Sequence, residues 1–183
     1  STEITEYVSK YDNIYSEWAI NEKVATEAAL GASIAGKRAM TCMKHVGLNL
    51  AAEPLMTGSY TGVNAGMVII VADDPNMHSS QNEQDSRNYA RFAKVPMLEP
   101  ADSQEAKDFI KLAFDISEKF SVPVIVRSET RISHSMSVVS LEEPKQSSEL
   151  EFEKDSEKWV MVPVNARKRH RIVEERLKCL QSF

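Results

Sequence analysis

The chain has 183 residues, 42% of them hydrophobic, and a formal net charge of −5. That is enough for one core with a tail, and the acidic balance weighs against a nucleic-acid-binding protein. No run of about 18 apolar residues offers a membrane span, and the polar, acidic start Ser1-Thr2-Glu3-Ile4 is unlike a signal peptide.

Ile4, Tyr7, Val8 and Tyr11 have helical spacing over residues 2–11. The aromatic, apolar run 14–19 predicts a short strand. Residues 21–35 predict a helix with Glu22 in its first turn. Val24, Ala28 and Ala32, thinned further by Gly31, make a stripe of small residues that a sheet or a partner helix could approach closely. Residues 38–44 predict a strand ending in a loop, Lys44-His45-Val46-Gly47. Helical periodicity resumes over 48–56, where Pro54 predicts a kink or a capped first turn. Gly58, Gly62, Asn64 and Gly66 mark a loop, and 67–72 is a continuous apolar run, as in a strand buried on both faces of a parallel sheet.

A polar loop is predicted from Asp73 to about Gln81, a short helix over 85–93, and an edge or connecting strand over 95–100. Asp102 or Ser103 can cap the next helix, whose Ala106, Phe109, Ile110, Ala113 and Phe114 make it the clearest amphipathic helix of the chain. Residues 122–127 predict a second buried strand. Strands alternating with helices make a parallel α/β sheet flanked by helices the economical architecture. Right-handed crossovers then gather four segments on one sheet edge: Asn21-Glu22, 44–49, 73–85 and 127–135.

Domain organisation follows composition. Residues 1–139 form the α/β domain; the acid-rich 140–158 predicts a solvated linker; 159–183 predicts an apolar docking segment and a basic amphipathic helix. The basic run 166–171 reads as a solvated helix face in which Arg171 pairs with Glu175, in preference to a nucleic-acid or membrane patch. Cys42 and Cys179 lack the spacing of a metal or iron–sulfur ligand set. Two cysteines in this length suggest a reducing cytoplasm.

Several side chains could carry chemistry. Apolar neighbours that dry Glu22 would raise its pKa and let it share a proton with a ligand; the plainer reading is an acid complementing the helix dipole. His45 could bind a substrate carboxylate or shuttle protons, or be satisfied by backbone. Asn49 offers hydrogen-bonding groups, and Gly47 permits close backbone approach. His78 and Arg87 lie in a polar stretch too long for a simple turn. Arg87 could fork a carboxylate or pair with Asp85 or Glu83. Arg131 and His134 follow the second buried strand.

Glu17-Trp18-Ala19-Ile20-Asn21-Glu22-Lys23-Val24-Ala25, the stretches 43–56 and 71–87, and Arg131-Ile132-Ser133-His134-Ser135 stand in the same order as in a known family. They resemble the α subunits of indolepyruvate ferredoxin oxidoreductases, over about residues 14–135. The resemblance implies the pyrimidine-binding domain of a thiamine diphosphate-dependent 2-oxoacid oxidoreductase. Glu22 matches the glutamate that hydrogen-bonds the cofactor's pyrimidine. His45, Gly47 and Asn49 fall on the segment over that ring, and His45, His78, Arg87 and Arg131 become candidate substrate contacts. The reaction implied is oxidative decarboxylation of indolepyruvate or another aryl pyruvate to the acyl-coenzyme A, with electrons passed to ferredoxin. Another 2-oxo acid, or a non-catalytic assembly domain of the same fold, are the alternatives.

The sequence departs from a complete cofactor site. No Gly-Asp occurs, although the family's diphosphate and Mg2+ are held by a Gly-Asp-Gly motif, and no cysteine set could ligate a 4Fe-4S cluster. The resemblance also implies a first strand and a glycine/threonine loop that would precede Ser1. The resemblance therefore implies partners: a diphosphate-binding domain of the same subunit carrying Mg2+, a β subunit, 4Fe-4S clusters elsewhere, ferredoxin, coenzyme A, and a dimer contact through helix 21–35.

Overall fold

A computed structural model of the chain describes residues 2–143 and 149–183, so part of the linker expected at 140–158 lies outside the described residues. The apolar run at 67–73 lies in the middle of the sheet. The strands are β1 (Ala39–Lys44), β2 (Met67–Asp73), β3 (Met97–Leu98) and β4 (Val124–Glu129), all parallel, in the order β1-β2-β4-β3. The helices are α1 (Thr2–Val8), α2 (Glu22–Ile34), α3 (His45–Thr61), α4 (Arg87–Ala93), α5 (Ser103–Phe120), α6 (Thr130–His134), α7 (Ser156–Trp159) and α8 (Pro163–Gln181).

Alternation along β2 divides the core in two. Met67, Ile69 and Val71 join Leu30 of α2 and Leu48, Ala51 and Leu55 of α3 on one face. Val68 points the other way, toward Ala113 and Ile116 of α5. This is the period-two pattern of a strand covered on both sides. Asp102 caps α5, accepting the Glu105 N–H at 2.8 Å. Ser117, buried in the same helix, donates to Val122 O (2.7 Å) and accepts the Met67 N–H (2.8 Å), which ties α5 to the starts of two strands.

The strand expected at 14–19 and the loops expected at 44–47 and from Gly58 are not what the structure shows. Residues 14–19 are irregular, with Tyr15 86% and Trp18 64% exposed; no strand among the described residues pairs with them, and an unpaired run cannot satisfy its backbone as sheet. No loop separates β1 from α3, so His45, Gly47 and Asn49 are helical. The loop expected from Gly58 starts only at Gly62, where φ is +72°, because α3 runs through Pro54 and Gly58 and continues for seven residues beyond the proline. Burial of the α3 face overrides the local cost of the proline, about 3 kcal/mol in isolation. Of the two neighbours expected for the small-residue stripe of α2, the sheet is not the one: the sheet-facing side is Thr26, Ala29, Leu30 and Ser33, and Val24, Ala28 and Gly31 are exposed. Small hydroxyl residues can be buried there because Thr26 donates to Glu22 O (2.8 Å) and Ser33 to Ala65 O (2.5 Å).

Before residue 144 and after residue 148 the chain touches the domain. Lys107 Nζ donates to Ser140 O, Leu150 N to Gly36 O (3.1 Å) and Asn64 Nδ2 to Glu151 O (3.0 Å). The basic helix α8 then docks on the end of α3. Arg169 donates to Tyr60 O (2.7 Å) and Thr61 O (3.1 Å), and Arg176 to Ser59 O (2.6 Å) and Ser121 O (3.2 Å). These cations meet the carbonyls that a helix C-terminus leaves unsatisfied, at the negative end of its dipole. The expected Arg171–Glu175 pair is not formed among the described residues; Lys168 instead pairs with Glu157 at 2.8 Å. No helix among the described residues is long and apolar enough to cross a membrane.

Candidate functional site

The extended backbone of Asn21 stops the irregular segment, and its side chain accepts the Val24 N–H at 2.9 Å, so α2 begins at Glu22. The neighbour of the Glu22 carboxylate is the first turn of α3. At Gly47 an added Cβ would lie 2.6 Å from Glu22 Cγ, 2.8 Å from Cδ and 2.7 Å from Oε1. The two helix N-termini thus meet beyond the end of β1. The aromatics of 14–19, expected to dry the carboxylate, are largely in solvent, and Glu22 itself is half-buried. Among the described residues its carboxylate has no hydrogen-bond or ion-pair partner.

The strand β1 runs straight into α3 with Lys44 as an N-cap that supplies no side-chain bond. The N–H groups of that first turn therefore lack a side-chain cap, at the positive end of a 17-residue helix. His45, 1% exposed, has both ring nitrogens without a partner. Buried polar atoms left unpaired are costly, so this histidine fits a place where a hydrogen-bonding ligand is received. Asn49, one turn further on, is already engaged: its amide donates to Gln84 Oε1 (3.0 Å) and its oxygen accepts the Tyr89 hydroxyl. It anchors the neighbouring polar segment.

That segment, 74–86, is held by two consecutive aspartates. Asp73, its side chain 1% exposed, receives Arg127 Nε at 2.7 Å, the Ser86 N–H at 3.0 Å and the Ser86 hydroxyl. Arg127 also reaches Glu99 (2.7 Å) and Glu129 (2.8 Å). Burial alone would lower the Arg127 pKa, but hydrogen bonds to Asp73 and Glu99 outweigh it and raise it. Asp74 accepts from the N–H of His78 (3.0 Å) and Ser79 (2.8 Å) and the hydroxyls of Ser80 (2.6 Å) and Thr130 (2.8 Å). Those bonds, Ser80's first, hold its carboxyl well below the usual range. Sequence reasoning missed Asp73, Asp74 and Arg127. The signal was present: charges at the ends of adjacent buried strands have to pair.

The structure brings Glu22 and Gly47 together, with His45 in the same first turn of α3 and the 74–86 segment alongside through Lys44 Nζ to Ser79 O (3.0 Å) and through Asn49. His78 is exposed on that segment. Arg87 takes its plainer alternative, a two-point bond to Asp85 at 2.8 and 2.9 Å. Arg131 lies exposed on α6, in a separate shallow cavity with Asp102 and Ser135.

Open parallel sheets with ligand groups at the strand ends are the class to which this fold belongs. Among solved structures, 2-oxoglutarate:ferredoxin oxidoreductase from Magnetococcus marinus covers the whole of this chain with 40% of its own, at TM-score 0.62 and 18% identity. Benzoylformate decarboxylase from Polynucleobacter necessarius matches 81% of the chain with 29% of its own, at TM-score 0.59 and 17% identity. Both share the fold.

Over residues 1–176 the sequence matches the family model for pyruvate flavodoxin/ferredoxin oxidoreductase, thiamine diphosphate-binding, and the chain belongs to that family. It is 51% identical over 93% of its length to the indolepyruvate oxidoreductase subunit IorA of Archaeoglobus fulgidus. It is 48% identical over 95% to the subunit of that name from Methanothermobacter thermautotrophicus. The chain spans 28% of the length of each of these two relatives.

Proposed function

We propose that this chain is the pyrimidine-binding domain of an enzyme that oxidatively decarboxylates indolepyruvate. In this reading the acyl group goes to coenzyme A and the electrons to ferredoxin. The observation that carries it is the unpartnered Glu22 carboxylate at the start of α2, seated against Gly47, in a chain about half identical to subunits named for that oxidation.

The residues fit the pyrimidine half of thiamine diphosphate. Glu22 keeps a carboxyl group available to share a proton with a ring nitrogen, and His45 holds two unpaired nitrogens at the same helix start. When bound, thiamine diphosphate supplies the electron sink for decarboxylating a 2-oxo acid. The diphosphate half does not fit this chain. It contains no Gly-Asp, and no cluster of His, Cys, Asp or Glu among the described residues could hold a metal ion. Mg2+, the diphosphate and the 4Fe-4S clusters are therefore assigned to the rest of a longer subunit and to a β subunit. Dimer contacts are assigned to the exposed face of α2.

His78 and Arg131 remain candidate substrate contacts, and Arg87 becomes one only by releasing Asp85. The test is indolepyruvate-dependent reduction of a viologen dye by the full, cluster-loaded complex, supplied with thiamine diphosphate, Mg2+ and coenzyme A. Turnover that vanishes without thiamine diphosphate supports the reading. Faster turnover of pyruvate or phenylpyruvate than of indolepyruvate would contradict the substrate assignment.

A further inference from the structure

Gly47 is the third residue of α3, a place where helix propensity favours alanine. Its lack of a side chain needs another reason. The three heavy atoms nearest an added Cβ are Cγ, Oε1 and Cδ of Glu22, at 2.6, 2.7 and 2.8 Å, all closer than a real Cβ tolerates. All three belong to the outer part of one flexible side chain.

The surroundings show what would yield. The backbone of Glu22 is fixed by the Asn21 cap and by Thr26, which donates to Glu22 O at 2.8 Å. The spacing of α2 and α3 is set by buried contacts in the cluster that contains Leu30, Leu48, Ala51 and Leu55. A methyl group at 47 would therefore turn the Glu22 side chain away and leave both helices where they are.

We propose that Gly47 is a positioning residue for Glu22: its missing side chain is the slot that keeps the carboxylate over the first turn of α3. This rests on the functional reading of Glu22 and deepens it. Gly47 then acts on the cofactor through the glutamate, and helix stability is not its purpose.

The test is a double-mutant cycle in the full enzyme complex with Gly47→Ala, Glu22→Gln and both together. It reads the exchange rate of the bound cofactor's C2 proton, cofactor affinity by calorimetry, and the thermal midpoint. Gly47→Ala should keep the midpoint and the affinity while slowing exchange by ~100-fold, the scale of a 1 Å misplacement. On the Glu22→Gln background it should cost less than about twofold more, because coupled residues are non-additive. Exchange within about threefold of the parent, where Glu22→Gln itself slows it strongly, or an equal loss on both backgrounds, would overturn the proposal. If Gly47→Ala fails to fold, recovery of folding by Glu22→Ala supports the slot, and no recovery overturns it. Unchanged exchange in Glu22→Gln would instead sink the functional reading. The slot would then stand or fall on whether a crystal structure of cofactor-free Gly47→Ala shows the Glu22 side chain displaced.

Discussion

Asp74 shows how much one residue can organise at this sheet edge. Its two oxygens accept four hydrogen bonds, from His78, Ser79, Ser80 and Thr130, so every one of them favours the ionised form. The folded pKa lies below the unfolded one, near 3.9 for an ordinary aspartate. The stability this contributes is therefore present above that value and drains away as pH falls below it. Asn cannot accept at both atoms, so Asp74→Asn should lower the thermal midpoint at neutral pH. The gap from the parent should stay constant down to about pH 5 and shrink below about pH 4; a gap independent of pH would exclude the carboxylate as its cause. Cys42 is a second residue with a readable chemistry. Burial pushes its thiol up to about 11, which leaves little thiolate at neutral pH. Alkylation at pH 7.5, followed by mass spectrometry, should modify the exposed Cys179 and spare Cys42.

The elements around the site depend on buried charge. Asp73 closes the 74–86 segment by binding Ser86 at its far end, and Arg127 keeps that aspartate paired, with its own side chain 4% exposed. Removing one partner of a buried pair costs about 3–5 kcal/mol. Arg127→Ala should lose that much in denaturant unfolding and expose residues 74–86 to proteolysis, whereas a loss under about 1 kcal/mol would mean the pair is dispensable. The central strands and α5 were legible in sequence because apolar runs and helical stripes report burial directly. Glu22 was legible as a first-turn acid, since Asn21 before a periodic run is a cap signal. The junction at 44–47 was not: glycine suggested a loop, while here it answers to a side chain 25 positions away in sequence, invisible to local pattern. Residues 14–19 misled for the converse reason, since strand-like composition cannot announce that no partner strand is at hand.

At the scale of the whole molecule, α8 returns the chain to the domain from which it left. Arg169 and Arg176 lie seven residues apart on one helical face and bind carbonyls at the end of α3; that spacing was in the sequence, but the basic run drew attention to solvent instead. Arg176 is buried deeply enough that its pKa falls to about 10. Arg176→Ala should release about 1.5–3 kcal/mol of charged hydrogen bonding. Faster hydrogen exchange confined to α8 and the last turn of α3 would report it; unchanged exchange there would contradict the docking role. The same core that receives α8 at one end of α3 presents Glu22, His45 and Gly47 at the other. The most direct test of the account is turnover by the complete enzyme carrying Glu22→Gln, which keeps size and hydrogen bonding but not the acid. The expected result is a fall in indolepyruvate-dependent viologen reduction of at least ~100-fold, with folding and cofactor binding intact. Turnover within about threefold of the parent would contradict it, because a positioned acid contributes far more than that.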